Sequence, residues 1–86
     1  MYEKTMVVNN PTGLHARPAS MLVRLASKFK SAMTIRYNDK IINARSVLSV
    51  MGAGISSGSQ IIIMAEGEDE QAAVDAVCDL IEQFSE

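Results

Sequence analysis

The sequence predicts an α+β fold, an open-faced β-sandwich in which a four-stranded sheet carries three helices on one face. Three observations predict it. Strand-like and helix-period segments follow one another in the order βαββαβα. Two long helices and one short helix can cover one face of four strands but not both, so the second face is expected to meet water. Finally, a chain of 86 residues buries only about 60–65% of its unfolded surface, enough for one core, so residues 1–86 are expected to form a single domain.

Each element has its own signal. Residues 2–8, YEKTMVV, alternate loosely, end in β-branched residues and stop at the turn formers Asn9, Asn10, Pro11 and Gly13. From 16 to 28, Ala19, Leu22, Val23 and Ala26 recur at helical spacing, with Leu25 and Phe29 alongside. Met33, Ile35 and Tyr37 share one face of a second strand, Asn38-Asp39 suits a two-residue hairpin turn, and a third strand follows around 40–44. Ser46 is placed to N-cap the segment VLSVMGAG, which Gly52 and Gly54 limit to two helical turns. The loop GISSGS leads into QIIIMAE, whose run Ile61, Ile62, Ile63 reads as a buried central strand of unspecified phase. Gly67 closes that strand. Residues 68–84 then carry acids in the first turn and apolar side chains at 73, 74, 77, 80, 81 and 84, the pattern of a final helix.

Composition narrows the function. Hydrophobic residues at 48% and charged residues at 21% fit an ordinary soluble globular domain. A net charge of −2 without any Lys/Arg run argues against direct nucleic-acid binding and anionic membranes. One cysteine, Cys78, allows no internal disulfide, and one histidine provides no cluster of soft ligands, so neither a metal nor a cofactor is expected and a reducing, cytoplasmic setting fits. Placed among Val74, Val77 and Ile81, Cys78 reads as a small buried hydrophobe. No charged segment followed by an apolar run opens the chain, and no stretch approaches the ~20 apolar residues of a membrane span; a soluble, unexported protein without membrane insertion is expected.

The single histidine, His15, lies in PTGLHARPAS, residues 11–20, just before the first helix. There the leading N–H groups lack intrahelical partners and the dipole presents partial positive charge, which suits an anion. Pro18 fits the first turn because its φ is helical and its missing N–H would have lain idle. The backbone phosphate donors are then Ala16 and Arg17. The Arg17 guanidinium can fork onto phosphate oxygens. A helix terminus also disfavours imidazolium, and a neutral imidazole nitrogen attacks phosphorus readily yet gives the group up again. These parts suit a histidine that is itself phosphorylated. A hydrolase using His15 as a base would need an orienting carboxylate and a substrate cavity of ~300 Å³, and the segment offers neither.

TGLHARPAS resembles the active-site segment of the HPr phosphocarriers of the bacterial phosphoenolpyruvate-dependent sugar phosphotransferase system, and the likeness runs the full chain without obvious gaps. The resemblance implies an antiparallel sheet in the order 1-4-2-3. It also implies a cycle in which His15 takes a phosphoryl group on Nδ1 from phosphorylated enzyme I and passes it to a histidine of enzyme IIA domains, with Arg17 stabilising the phosphate. Within ARSVLSVMGAG, Ser46 matches the serine that an ATP-dependent HPr kinase/phosphorylase modifies in many Gram-positive bacteria. That match extends the expected partners to the kinase and to a catabolite-control transcription factor. Met51 fits the Gram-positive type, while Leu48 and Gly52 depart from its methionine and serine. An alternative reading is a purely regulatory binding module of the same fold, acting on carbon metabolism through Ser46.

A partner surface is expected beside His15. Met21 lies off the buried stripe of its helix, and Val47, Leu48 and Met51 crowd a helix too short to bury them all. Methionines repack against several partners. Arg24 and Lys28, with Ser20 and Ser27, would rim the patch, so acidic partners and fast, salt-sensitive encounter are expected.

Overall fold

In the computed structural model, which describes residues 1–84, the elements follow in the expected order. They are β1 (Tyr2–Val7), α1 (Ala16–Ala26), β2 (Ala32–Tyr37), β3 (Lys40–Asn43), α2 (Val47–Gly52), β4 (Gln60–Glu66) and α3 (Glu70–Gln83). The strands form one sheet in the order β1-β4-β2-β3, and every pairing is antiparallel. The hairpin between β2 and β3 pairs Tyr37 with Lys40, and Asn38 takes the left-handed φ of 56° that asparagine tolerates better than most residues.

Register settles the phase that the isoleucine run leaves open. Ile63 lies opposite Ile35 on one side and Lys4 on the other, so Ile61, Ile63 and Ala65 share the helix-facing side with Met33, Ile35 and Ile42. All six are buried. Ile62 and Met64 fall on the open face and are half-buried. Each fully buried isoleucine stabilises the fold by about 1.5–3 kcal/mol. Onto this floor α1 places Ala19, Leu22 and Ala26, α2 places Val50, and α3 places Ala73, Val74, Val77, Cys78 and Ile81. Burial pushes the Cys78 thiol up to about 11, as befits a small core hydrophobe.

Several ends are shorter than periodicity suggests. The helix expected over 16–28 stops at Ala26, and the Ser27 hydroxyl donates to the Val23 carbonyl at 2.8 Å. Lys28 and Phe29 then close i−3 bonds onto Leu25 and Ala26. Val8 leaves β1 to enter the core, its N–H donating to the Ser59 carbonyl at 2.9 Å.

Polar ties fix the connections. Asp69, the N-cap of α3, accepts from the Lys30 N–H and the Ser31 N–H at 2.9 Å each and from the Ser31 hydroxyl. These donors, the Ser31 hydroxyl foremost, hold its carboxyl down to about 2. Arg45 donates to the Phe29 carbonyl and, at 2.8 Å, to the Ser31 carbonyl. Across the edge, Lys4 Nζ lies 2.7 Å from Asp75 and fastens β1 to α3.

Candidate functional site

Residues 10–13 form a turn with asparagine first, proline second and glycine fourth, the types that a type I turn favours. The Gly13 N–H donates to the Asn10 carbonyl at 3.0 Å. Asn38 is the non-glycine residue with positive φ among the described residues, so Thr12 does not take the left-handed angle of a type II turn. Gly13 sits at φ +64°, and a Cβ there would lie 2.3 Å from the Ile55 carbonyl oxygen and 2.8 Å from Ser56 Cα. Both conformation and space therefore require glycine. The Leu14 N–H donates to the Ile55 carbonyl at 3.0 Å, and the Leu14 side chain is buried.

Anchored in this way, the chain enters α1 at His15. His15 is the N-cap, with extended backbone, and its side chain makes no capping hydrogen bond. The residue is exposed. The first intrahelical bond runs from the Ala19 N–H to the His15 carbonyl at 2.8 Å. Ala16 and Arg17 thus keep N–H groups without an intrahelical acceptor, and Pro18 has none to offer. No acidic residue occupies the first turn, so the partial positive charge of the terminus is unopposed. Arg17 is exposed and enters no ion pair or side-chain hydrogen bond among the described residues. The arrangement presents an unengaged imidazole, two free amides and a guanidinium within three consecutive residues.

Ser46 N-caps α2, its hydroxyl accepting from the Ser49 N–H at 3.2 Å. Around it the expected partner residues are divided. Leu48 is 84% exposed and Met21 43%, whereas Val47 and Met51 are half-buried against the core. Met21 and Arg24 line a groove of about 180 Å³ with Leu25, Lys28 and Leu80. Leu48 lines a separate groove of about 340 Å³ beside Lys40 and Ile41 of β3. Ser20 is half-buried and Ser27 exposed. Arg24 and Lys28 form no ion pair among the described residues, so their charge is open to a partner. His15 lines neither groove.

Sequence reading missed the contribution of α3 through Leu80 and the support that residues 55–56 give the loop, since neither contact leaves a local periodic trace. Asn10, read only as a turn former, is 3% exposed, and its Nδ2 donates to the Gly13 carbonyl.

Residues 2–83 match the family model described as "PTS HPr component phosphorylation site". Among solved structures, an HPr from Thermoanaerobacter tengcongensis is 45% identical, with a TM-score of 0.95 over 100% of this chain and 98% of that one. A histidine-containing phosphocarrier protein from Mycoplasma is 37% identical, with a TM-score of 0.93 over 98% and 96%. The catabolite-repression protein Crh of Bacillus subtilis is 32% identical, with a TM-score of 0.78 over 98% and 97%.

Proposed function

Since the chain belongs to the HPr family of the phosphotransferase system, we propose that it carries a phosphoryl group on His15 from phosphorylated enzyme I to enzyme IIA domains in the cytoplasm. What supports this most directly is the exposed His15 at the α1 N-cap, engaged in no capping bond and flanked by the unpaired amides of Ala16 and Arg17.

In the transfer, the Nδ1 lone pair of His15 forms a bond to phosphorus as the donor's nitrogen–phosphorus bond breaks and its electron pair returns to the donor ring. The dianion then sits where the helix terminus and Arg17 favour negative charge. Delivery to enzyme IIA is the same exchange in reverse, so the protein is a carrier and not a catalyst with turnover of its own. Met21 and Arg24 meet partners at the groove they share with Lys28 and Leu80, Ser20 and Ser27 add polar groups from the same helical segment, and Val47, Leu48 and Met51 contribute from α2. Unpaired Arg24 and Lys28 favour acidic partner surfaces.

The likeness to Crh supports a second, regulatory use through Ser46, with an HPr kinase/phosphorylase and a catabolite-control transcription factor as partners. Phosphate at Ser46 would stand at a helix start, where the fold accepts it, and would repel an acidic partner.

Incubation with enzyme I and phosphoenolpyruvate is expected to add one acid-labile phosphoryl group, absent from His15→Ala. Uptake that persists in His15→Ala would overturn the assignment. Adding ATP and the kinase should place a second, acid-stable group on Ser46.

A further inference from the structure

The loop before His15 holds one peptide unit by both of its polar ends. The carbonyl of Gly13 accepts from Asn10 Nδ2, and the N–H of Leu14, the other half of the same peptide, donates to the Ile55 carbonyl at 3.0 Å. Two bonds on opposite edges of a planar unit fix its rotation, and with it ψ of Gly13 and φ of Leu14. That peptide lies one unit upstream of the His15 backbone. It anchors the chain one residue before the N-cap and so holds His15 and the start of α1 in place against the loop of residues 55–56.

One half of the clamp is main chain and would survive almost any substitution. The other half depends on a single side chain. Asn10 is buried, and its Oδ1 has no hydrogen-bond donor among the described residues. Burying an amide with an unpaired oxygen works against stability, so the asparagine that the turn favours at its first position comes at a cost here.

We propose that Asn10 is a positioning residue for phosphoryl transfer at His15, holding the Gly13–Leu14 peptide so that the ring is aimed at the incoming phosphorus. The proposal rests on the carrier reading and adds to it a residue outside the helix that carries the chemistry. Asn10 touches neither the phosphate nor a partner. Its contribution is to the fraction of encounters in which the ring is already in line, which enters kcat and not docking. Misplacing a reacting group by about 1 Å costs up to ~100-fold in rate, and loss of one of two restraints is expected to cost about tenfold.

The test is enzyme I-driven phosphorylation of wild type, Asn10→Ala, Asn10→Asp and the exposed-neighbour control Asn9→Ala, with kcat and KM measured separately. Asn10→Ala removes the donor without adding charge, and Asn10→Asp keeps the shape but sets a carboxylate oxygen against the Gly13 carbonyl, so the two are read together. Both Asn10 variants should lose about tenfold in kcat with KM within about twofold, and the Leu14 amide should exchange faster. Amides of Ile63 and Val77 should stay as protected as in wild type, which certifies the fold. Asn9→Ala should behave as wild type. Asn10 variants with unchanged kcat, or with loss confined to KM, overturn the proposal while leaving the carrier reading intact. Failure of wild type itself to take phosphate overturns both.

Discussion

Helices α1 and α3 are entered in the same way: a glycine pressed against a neighbouring loop, one intervening residue, then an N-cap whose side chain makes no bond to its own helix. At α1 the three are Gly13, Leu14 and His15; at α3 they are Gly67, Glu68 and Asp69. A Cβ on Gly67 would lie 2.6 Å from the Ser31 hydroxyl, just as one on Gly13 would strike Ile55. The caps then diverge. Asp69 turns back to take three donors from residues 30–31, and Glu70 in the first turn of α3 lies 3.0 Å from the Met1 ammonium. His15 takes nothing, and α1 has no acid in its first turn. A helix start becomes receptive to an outside anion only when the chain supplies no anion of its own, and within this one fold α1 meets that condition while α3 does not.

Giving α1 the cap of α3 breaks the contrast most severely. His15→Asp should abolish acid-labile phosphorylation. It should also raise stability by about 0.5–1 kcal/mol, because aspartate can accept from the Arg17 N–H and opposes the helix dipole. Urea unfolding beside the phosphorylation assay reads both effects, and a less stable variant would mean that the imidazole does hold the helix. The glycines offer a finer cut. Gly13→Ala and Gly67→Ala should each cost about 2–4 kcal/mol from left-handed strain and backbone collision. Only Gly13→Ala should slow phosphoryl uptake beyond its unfolded fraction, and equal slowing by the two would erase the distinction between the helices.

The smallest effect appears in acid. Asp69, held down to about 2 chiefly by the Ser31 hydroxyl, has a native value below its ordinary 3.8. Its stabilisation is therefore full above about pH 4 and drains as pH falls toward 2. Stability curves for wild type and Asp69→Asn should converge through that window, and curves that stay parallel would show that the carboxylate carries no such linkage.

The cluster His15, Arg17, Pro18 could be read from the chain because its parts are contiguous and each has a local rationale at a helix start. The Ser46 cap and the Asn38 turn were legible for the same reason. What the sequence could not convey joins residues far apart. The Ser31–Asp69 tie spans |i−j| = 38, and the phase of the isoleucine run is decided only by what lies opposite it in β1 and β2. Asn10 lies between these cases, since its turn is readable from Asn-Pro-Thr-Gly but its burial is not. The expected single docking patch separates into two grooves because Leu48 points toward β3 and Met21 toward α3.

The pairing of Tyr2 with Ala65 and of Val7 with Gln60 bears on how the protein is made. Synthesis runs from the N-terminus, and such distant pairings wait on loop closure. The strand that leads to His15 is translated well before β4, its hydrogen-bonding neighbour, and before the Ile55 carbonyl that props the loop. A nascent chain still short of residue 55 carries the histidine without a scaffold. On the proposed carrier reading, competence to accept phosphate therefore waits on residues 55–66, and a nascent chain that stops before them would not drain phosphoryl groups from the relay.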